Sequence, residues 1–302
     1  MRSVRLLLWV MLSSSAMLHA QNWADPSNWD KISSPLETKD VIYVAADTPD
    51  YSAKEQLLDV YQNAASSPKN PVLVYMHGGA WNHGKRPQSW TAFRPWIAAG
   101  FSVVNVEYRM ADAHPAPAAI QDVRCVLSWL NQNAAKYHFD TLRIVTYGTS
   151  AGGHLALLAA VLPRGNTIDP PQCTSIPHVA AVLDFYGPYH LEPSTPGAFT
   201  SPSTKRWMGP NPQPSLEAKE HQMSPSTYIR AGIPPVFIAH GDADPVVPYL
   251  SSETLKADLD KAGVMNVLDT VHGGQHGKWP PEESQRVQLD SLRFLQSVGV
   301  IR

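Results

Sequence analysis

The sequence predicts an α/β protein with a mostly parallel central sheet and helices on both faces, and three observations support this. Short β-branched runs alternate along the chain with helical stretches, which is the order of consecutive β-α-β units. Some of these runs, such as residues 72–76, are apolar throughout, as strands covered on both faces are. The chain has 302 residues, 43% hydrophobic and 17% charged, which suits one large globular domain.

The N-terminal segment has the pattern of an export signal. Arg2 and Arg5 precede the apolar residues 6–12, and a serine cluster then leads to Ala20. We therefore expect residues 1–20 to be a signal peptide cleaved near Ala20, and the mature protein to be secreted or periplasmic. The apolar core is too short for a stable membrane anchor. An unprocessed N-terminus is the alternative.

Charge and cysteine content narrow the possible partners. The formal net charge is −2 and no long basic block occurs, which argues against a nucleic-acid partner. Cys125 on a predicted helix and Cys173 in a proline-rich loop could pair in an oxidising compartment, and the sequence leaves this open. No histidine cluster accompanies them, so no metal site is predicted.

The predicted elements follow one another in a regular order. The expected strands are 41–44 and 57–61 (a hairpin-like pair after an irregular lead-in over 21–40), 72–76, 101–106, the run before Gly148, 179–184, 236–239 and 267–271. The expected helices cover 89–99, the stretch around 123–130, 155–162, 255–263 and 281–298. Residues 186–222 have little periodicity and are expected to form a small cap or substrate loop.

The residues Gly148-Thr149-Ser150-Ala151-Gly152 join a predicted strand to a predicted helix. This order is the setting of a nucleophile elbow, in which a tight turn projects the serine hydroxyl from the sheet. A side chain at either glycine would clash with neighbouring backbone. The N-terminus of the following helix favours a developing negative charge. By itself the pattern is weak, because glycine-rich turns are common in α/β proteins.

An acid and a histidine follow on later loops. Asp244 lies after the strand 236–239 and is preferred over Asp242, which is expected to shape the turn. His276 lies after the last strand and is preferred over His272. The resulting order of serine, acid and histidine differs from that of the two other common serine triads. Since parallel strands end at one edge, we expect these side chains to meet there.

A glycine loop follows the strand 72–76, with the residues His77-Gly78-Gly79-Ala80-Trp81. Its glycines allow backbone N–H groups to face inward, where they could stabilise an oxyanion. His77 is expected to support this loop from beneath. Elsewhere, Arg109 and Asp122 are expected to form a structural pair. The aromatic residues Tyr186, Tyr189 and Trp207 either line a pocket or cover the domain.

Together these segments resemble the α/β-hydrolase superfamily, in the group with a His-Gly-Gly-x-Trp motif. That group includes hormone-sensitive-lipase-like carboxylesterases and the acetyl xylan and feruloyl esterases. Two departures favour the polysaccharide-esterase branch: Ala80 replaces a third glycine, and the N-terminal cap helices are missing. The matching segments are 58–61, 77–81, 107–109, 115–122, 148–153, 224–225, 240–248 and 274–277.

The resemblance implies an α/β-hydrolase catalytic domain over residues 21–302, acting on small-molecule or oligosaccharide esters through an acyl-enzyme. The N–H groups of Gly79, Ala80 and Ala151 would hold the oxyanion, and neither a metal nor an organic cofactor would be required. An exopeptidase-like serine hydrolase and a non-catalytic binding module on the same scaffold are the alternatives. The acyl and alcohol specificity and the oligomeric state stay open.

Overall fold

The structure is a computed structural model that describes residues 22–47, 51–63 and 69–302. The expected signal peptide, residues 1–20, lies outside the described residues. The strands are β1 Leu36–Ile42, β2 Leu57–Gln62, β3 Asn70–Met76, β4 Ser102–Val106, β5 Phe139–Thr149, β6 Ala181–Phe185, β7 Val236–Gly241 and β8 Asn266–Val271. The α-helices are α1 Arg94–Ala98, α2 Ala118–Tyr137, α3 Ala151–Val161, α4 Pro202–Met208, α5 Leu216–Met223, α6 Leu250–Lys261 and α7 Pro281–Ser297.

The eight strands described form one sheet in the order β1-β2-β4-β3-β5-β6-β7-β8. β1 pairs antiparallel with β2, and β2 with β4, whereas β4, β3 and the strands beyond them run parallel. The predicted mostly parallel sheet and the predicted antiparallel first pair are therefore confirmed. Because β3 to β8 share one direction, the loops that follow them emerge at one edge of the sheet.

Two buried layers of side chains cover the sheet. Val72 and Val74 of β3 belong to one layer, while Leu73 between them belongs to the other, because successive strand residues point to opposite faces. The first layer includes residues of α2, α3 and α6, and the second those of α1 and α7. The expected helices on both faces are thus confirmed.

Several boundaries differ from the sequence expectation, among them the start of α3, which is Ala151 instead of residue 155. β1 begins at Leu36, so residues 36–40 are not part of an irregular lead-in. Its residues are mostly exposed at the sheet edge, and pairing with β2 rather than an apolar pattern defines the strand. α6 begins at Leu250, five residues before the expected start. The expected helix over 89–99 divides into a 3-10 turn, Trp90–Phe93, and the short α1.

The region 186–222 contains two short helices, α4 and α5, instead of a loop without regular structure. Each is preceded by a serine whose hydroxyl accepts a backbone hydrogen bond, from Thr204 N to Ser201 (3.1 Å) and from Ala218 N to Ser215 (3.1 Å). Trp207 of α4 is fully buried and stacks on Trp81, with ring centroids 4.4 Å apart. The stacking of Trp207 on Trp81 packs the region 186–222 against the rest of the domain.

Cys125 of α2 and Cys173 form a disulfide that closes a sequence separation of 48 residues. It ties α2 to the loop after α3, and in the same place Arg124 forms an ion pair with Asp169 at 2.6 Å. The expected Arg109–Asp122 pair is also present, with Arg109 Nε donating at 3.0 Å to a carboxylate that is fully buried.

Within the described ranges, no helix combines the length and apolarity needed to cross a bilayer.

We predict that the double replacement Cys125→Ala/Cys173→Ala lowers the free energy of unfolding by about 4 kcal/mol, because the crosslink restricts the unfolded chain over a long loop. Urea unfolding of the oxidised protein and the double variant measures the difference. The wild-type protein unfolded under reducing conditions serves as the control and should match the variant. Equal stability of oxidised protein and variant would contradict the prediction.

Candidate active site

Ser150 occupies a strained turn between β5 and α3. Its backbone has φ 55° and ψ −122°, a conformation that residues with a side chain rarely adopt. Ser150 N donates to the Phe185 carbonyl at 2.8 Å, which ties the turn to β6. A Cβ at Gly148 would meet the Gly152 carbonyl, and one at Gly152 would meet the Met76 carbonyl. The two glycines are therefore required by close backbone contact, as the sequence predicts.

His276 lies on the loop after β8 and faces this turn. Its Nε2 is 2.8 Å from Ser150 Oγ, and its Nδ1 is 2.7 Å from Asp244 Oδ2. With Nδ1–H donating to the carboxylate, Nε2 is free to accept the serine proton. The three side chains expected to meet are thus brought into one hydrogen-bonded line.

Asp244 lies after β7 with its side chain fully buried. Its Oδ1 accepts from the backbone N–H groups of Val246 (2.7 Å) and Val247 (3.1 Å), and its Oδ2 also accepts from His240 Nε2 (3.1 Å). Burial alone would raise the pKa of this carboxyl. The hydrogen bonds from His240, His276 and Val246 outweigh burial and hold the pKa of Asp244 well below its usual range. Asp244 is therefore ionised throughout the neutral range.

Asp242 and His272, the alternatives to Asp244 and His276, form a separate pair at the surface. His272 Nδ1 is 2.8 Å from Asp242 Oδ2, and the His272 side chain is 87% exposed. Asp242 also accepts a hydrogen bond from Gly273 N at 2.6 Å, so it joins two loops rather than shaping its own turn. Neither residue contacts Ser150 by any hydrogen bond in the described structure, which supports the choice of Asp244 and His276.

The glycine loop after β3 lies directly against the serine turn. A Cβ built on Gly78 would be 2.9 Å from the Thr149 carbonyl and 3.3 Å from Ser150 Cβ. Gly79, Ala80 and Trp81 all have positive φ, at 131°, 52° and 61°, so the chain folds back on itself here. In the loops and turns that the structure describes, the N–H groups of Gly79, Ala80 and Ala151 form no backbone hydrogen bond. These three N–H groups are therefore not committed to another backbone carbonyl in those segments.

A buried polar network supports the loop from beneath. His77 is 3% exposed, its ring stacks on Tyr108 at 4.4 Å, and its Nε2 lies 3.2 Å from Glu107 Oε1. The Tyr108 hydroxyl donates to the His77 carbonyl at 2.9 Å. Arg86 N donates to Glu107, and Arg86 Nε to Asp59 at 3.1 Å. His77 therefore has the supporting position that the sequence predicts.

Two residues near the site were not identified from the sequence as functional. His240 is fully buried at the end of β7 and accepts a hydrogen bond from Ser252 Oγ at 2.7 Å while donating to Asp244. The sequence signals for it are its spacing of four residues from Asp244 and its place at the start of the matching segment 240–248. Asp184 of β6 is fully buried, and its Oδ1 accepts from Gly187 N at 3.0 Å. Burial raises the pKa of Asp184 to about 7 despite that hydrogen bond.

Among the residues described, no group of three or more His, Cys, Asp and Glu side chains is arranged to hold a metal ion.

Several known proteins are similar to this chain. Esterase LipQ of Mycobacterium tuberculosis is 31% identical over 252 residues, covering 82% of this chain and 60% of that protein. Esterase LipC of the same organism is 32% identical over 237 residues, covering 72% and 57%. The chain thus spans less than two thirds of either relative. A solved structure described as a truncated carbohydrate esterase from gut microbiota has a TM-score of 0.69 at 27% identity, covering 88% of this chain and 96% of that one.

The sheet topology and the serine turn define the α/β-hydrolase fold, which the structural similarity confirms. Within this class, the sequence profile of the BD-FAE family matches residues 58–259. Because the match covers more than half of the chain, the protein belongs to the BD-FAE family.

We predict that Asp184 makes folding pH-dependent. Since its pKa is raised in the folded state to about 7, its contribution to stability is complete below about pH 4 and is lost as pH rises through 7. The free energy of unfolding of the wild type relative to Asp184→Asn should therefore fall by about 3 kcal/mol between pH 4.5 and 8. Urea unfolding across this range measures it.

Asp244 contributes to the pH dependence of stability with the opposite sign. Its pKa is lowered in the folded state, so its contribution to the free energy of unfolding is lost only on acidification. Both proteins retain Asp244, so its effect cancels in the difference. Parallel stability curves for the wild type and Asp184→Asn would show that Asp184 is ionised in the folded state like an ordinary aspartate.

Proposed function

We propose that the protein is a serine carboxylic ester hydrolase that acts through an acyl-enzyme. The observation that carries this proposal is the hydrogen-bonded line from Ser150 Oγ through His276 to Asp244, at 2.8 and 2.7 Å. It lies beside a loop with available N–H groups. The names of the similar proteins, esterases LipQ and LipC, support ester bonds as the substrate class.

In the proposed reaction, His276 Nε2 removes the proton from Ser150 as its oxygen attacks the ester carbonyl. Asp244 keeps the His276 proton on Nδ1 and stabilises the imidazolium that forms. His276 then donates the proton to the leaving alcohol. A water molecule, activated by His276 in turn, attacks the acyl-enzyme and releases the acid. Acylation forms the bond from Ser150 Oγ to the acyl carbon and breaks the bond to the alcohol oxygen. Deacylation forms the bond to the water oxygen, breaks the bond to Ser150 Oγ, and His276 returns its proton to Ser150.

The negative charge on the carbonyl oxygen would be stabilised by the N–H groups of Gly79, Ala80 and Ala151. One such donor typically contributes about 3 kcal/mol to transition-state stabilisation. Ala151 is the first residue of α3, so the helix dipole adds to the favourable potential at this position.

We further propose short acyl or aromatic acyl esters of plant polysaccharide as substrates. The resemblance of the loop 77–81 to the His-Gly-Gly-x-Trp motif of acetyl xylan and feruloyl esterases supports these acyl classes. The similarity to a protein described as a carbohydrate esterase supports a carbohydrate ester.

We also propose that the protein is exported to the periplasm or secreted. The arginines, apolar run and small residues of positions 1–20 support a cleaved signal. The disulfide between Cys125 and Cys173 supports an oxidising compartment.

Replacement of Ser150 or His276 by Ala should lower kcat/KM for p-nitrophenyl acetate by a factor of about 10⁴ or more, with the circular dichroism spectrum unchanged. His272→Ala is the matched control, since His272 belongs to the loop after β8 but contacts Asp242 instead. It should retain activity. The outcome that excludes the proposed function is full activity of Ser150→Ala, or loss of activity in His272→Ala but not in His276→Ala.

A substrate panel tests the bond and the acyl group. We expect hydrolysis of acetyl and feruloyl esters, release of acetate or ferulate from xylan fragments, and a fall of about tenfold or more in kcat/KM from p-nitrophenyl acetate to the octanoate. The matching anilides should not be cleaved. Preferred cleavage of aminoacyl anilides would instead support an exopeptidase-like hydrolase. No turnover and no labelling by a fluorophosphonate probe would support a non-catalytic binding module.

A further inference from the structure

Tyr186 follows β6 directly and stands in a strained backbone conformation. Its φ is 46°, in the left-handed region that a residue with a large side chain rarely adopts. Backbone hydrogen bonds hold it there: Tyr186 N donates to the Ala239 carbonyl at 2.7 Å, and the preceding Phe185 carbonyl accepts from Ser150 N at 2.8 Å. Such strain persists where the surrounding structure requires a particular side-chain direction.

The side chain of Tyr186 is directed at the loop that carries His276. The two rings meet edge to face, with centroids 4.8 Å apart and planes at 66°. The tyrosine ring also contacts Trp279, with centroids 5.4 Å apart and planes at 82°. Trp279 Nε1 donates to the Gln275 carbonyl at 2.9 Å, which links the tryptophan back to the same loop.

The hydroxyl of Tyr186 reaches two further points of the site. It is the atom nearest to a Cβ built on Gly277, so glycine at 277 leaves room for the tyrosine. It also lies near the side chain of Thr149, the residue before Ser150. One side chain therefore contacts the histidine and the residue after it, and lies near the residue before the serine.

We propose that Tyr186 is a positioning residue that fixes the His276 imidazole in its hydrogen bond to Ser150. The Nδ1 bond to Asp244 leaves the imidazole free to rotate about one axis, and the Tyr186 ring, with its centroid 4.8 Å from that of the imidazole, blocks that rotation. Gly277, with φ 63°, has no side chain to restrict the backbone next to His276, so the loop itself does little to hold the imidazole in place. The catalytic part of this inference rests on the proposed ester hydrolase function.

The test compares Tyr186→Leu and Tyr186→Phe with Tyr189→Leu as the matched control. Tyr189 is fully buried three residues further along the same segment, and its hydroxyl donates to Asp258 at 2.7 Å. Tyr186→Leu should lower kcat for p-nitrophenyl acetate about 10- to 100-fold while KM changes by less than about threefold. Tyr186→Phe, which keeps the ring, should restore most of kcat. Tyr189→Leu should lower stability and leave kcat unchanged.

A double-mutant cycle with Gly277→Ala tests the contact itself. The alanine Cβ would strike both the hydroxyl and the ring of Tyr186, so Gly277→Ala should lower kcat by a larger factor in the wild type than in Tyr186→Leu. Equal factors in these two backgrounds would overturn the proposal. So would a folded Tyr186→Leu with wild-type kcat.

A third measurement does not depend on ester turnover. The low-field proton NMR signal of the His276 N–H bound to Asp244, assigned by its loss in His276→Ala, should be present in the wild type and in Tyr189→Leu. It should broaden or disappear in Tyr186→Leu. An unchanged signal in Tyr186→Leu overturns the positioning role even if the wild type hydrolyses esters. A wild type with the signal but without esterase activity overturns the proposed function instead.

Discussion

The site depends on the contact of three backbone segments at the turn of Ser150. β5 ends at Thr149, α3 begins at Ala151, and the carbonyl of Met76 at the end of β3 lies against Gly152. Any side chain at Gly152 would separate α3 from β3. A non-glycine residue in the left-handed region costs about 1–2 kcal/mol, and the surrounding sheet has to supply that energy. The turn is thus stable only because β3, β5 and β6 pair around it, with Ser150 N bound to β6.

Strand register then determines where the other two side chains meet the serine. β7 and β8 are neighbouring parallel strands, and Gly241 pairs with Val271 near their ends. Asp244 and His276 follow these ends by three and five residues. The histidine thereby reaches across from the loop of β8 toward Ser150, while the aspartate stays fully buried behind it. Parallel pairing, with helices on both faces, is what brings loops so distant in sequence to one edge.

The positions of the serine, the acid and the histidine could be predicted from the sequence, because each is marked by a short motif or by its order along the chain. Ser150 was marked by its glycines, and Asp244 and His276 by their order after apolar strands. What could not be predicted depends on tertiary contact. His240 resembles an ordinary core residue at a strand end until its contact with Asp244 is known. α4 and α5 are short and weakly apolar, and they are stabilised by serine caps and by the stacking of Trp207 on Trp81. The pairing of Cys125 with Cys173 requires the loop after α3 to approach α2.

Two buried carboxyls near the site show how the environment, rather than residue type, distributes charge. Asp244 accepts hydrogen bonds from two imidazoles and two backbone N–H groups, so its pKa is held low and it is ionised where an imidazolium would form. Asp184 accepts one N–H bond, its Oδ2 has no partner among the described residues, and burial raises its pKa to about 7. Asp184 Oδ1 lies against Gly153 in the first turn of α3, so ionisation of this carboxyl would place a negative charge near the helix N-terminus and oppose an oxyanion at Ser150. The raised pKa of Asp184 limits this repulsion as pH falls below 7, while the carboxylate that the proposed chemistry needs, Asp244, is bound on the opposite side of the His276 ring from Ser150.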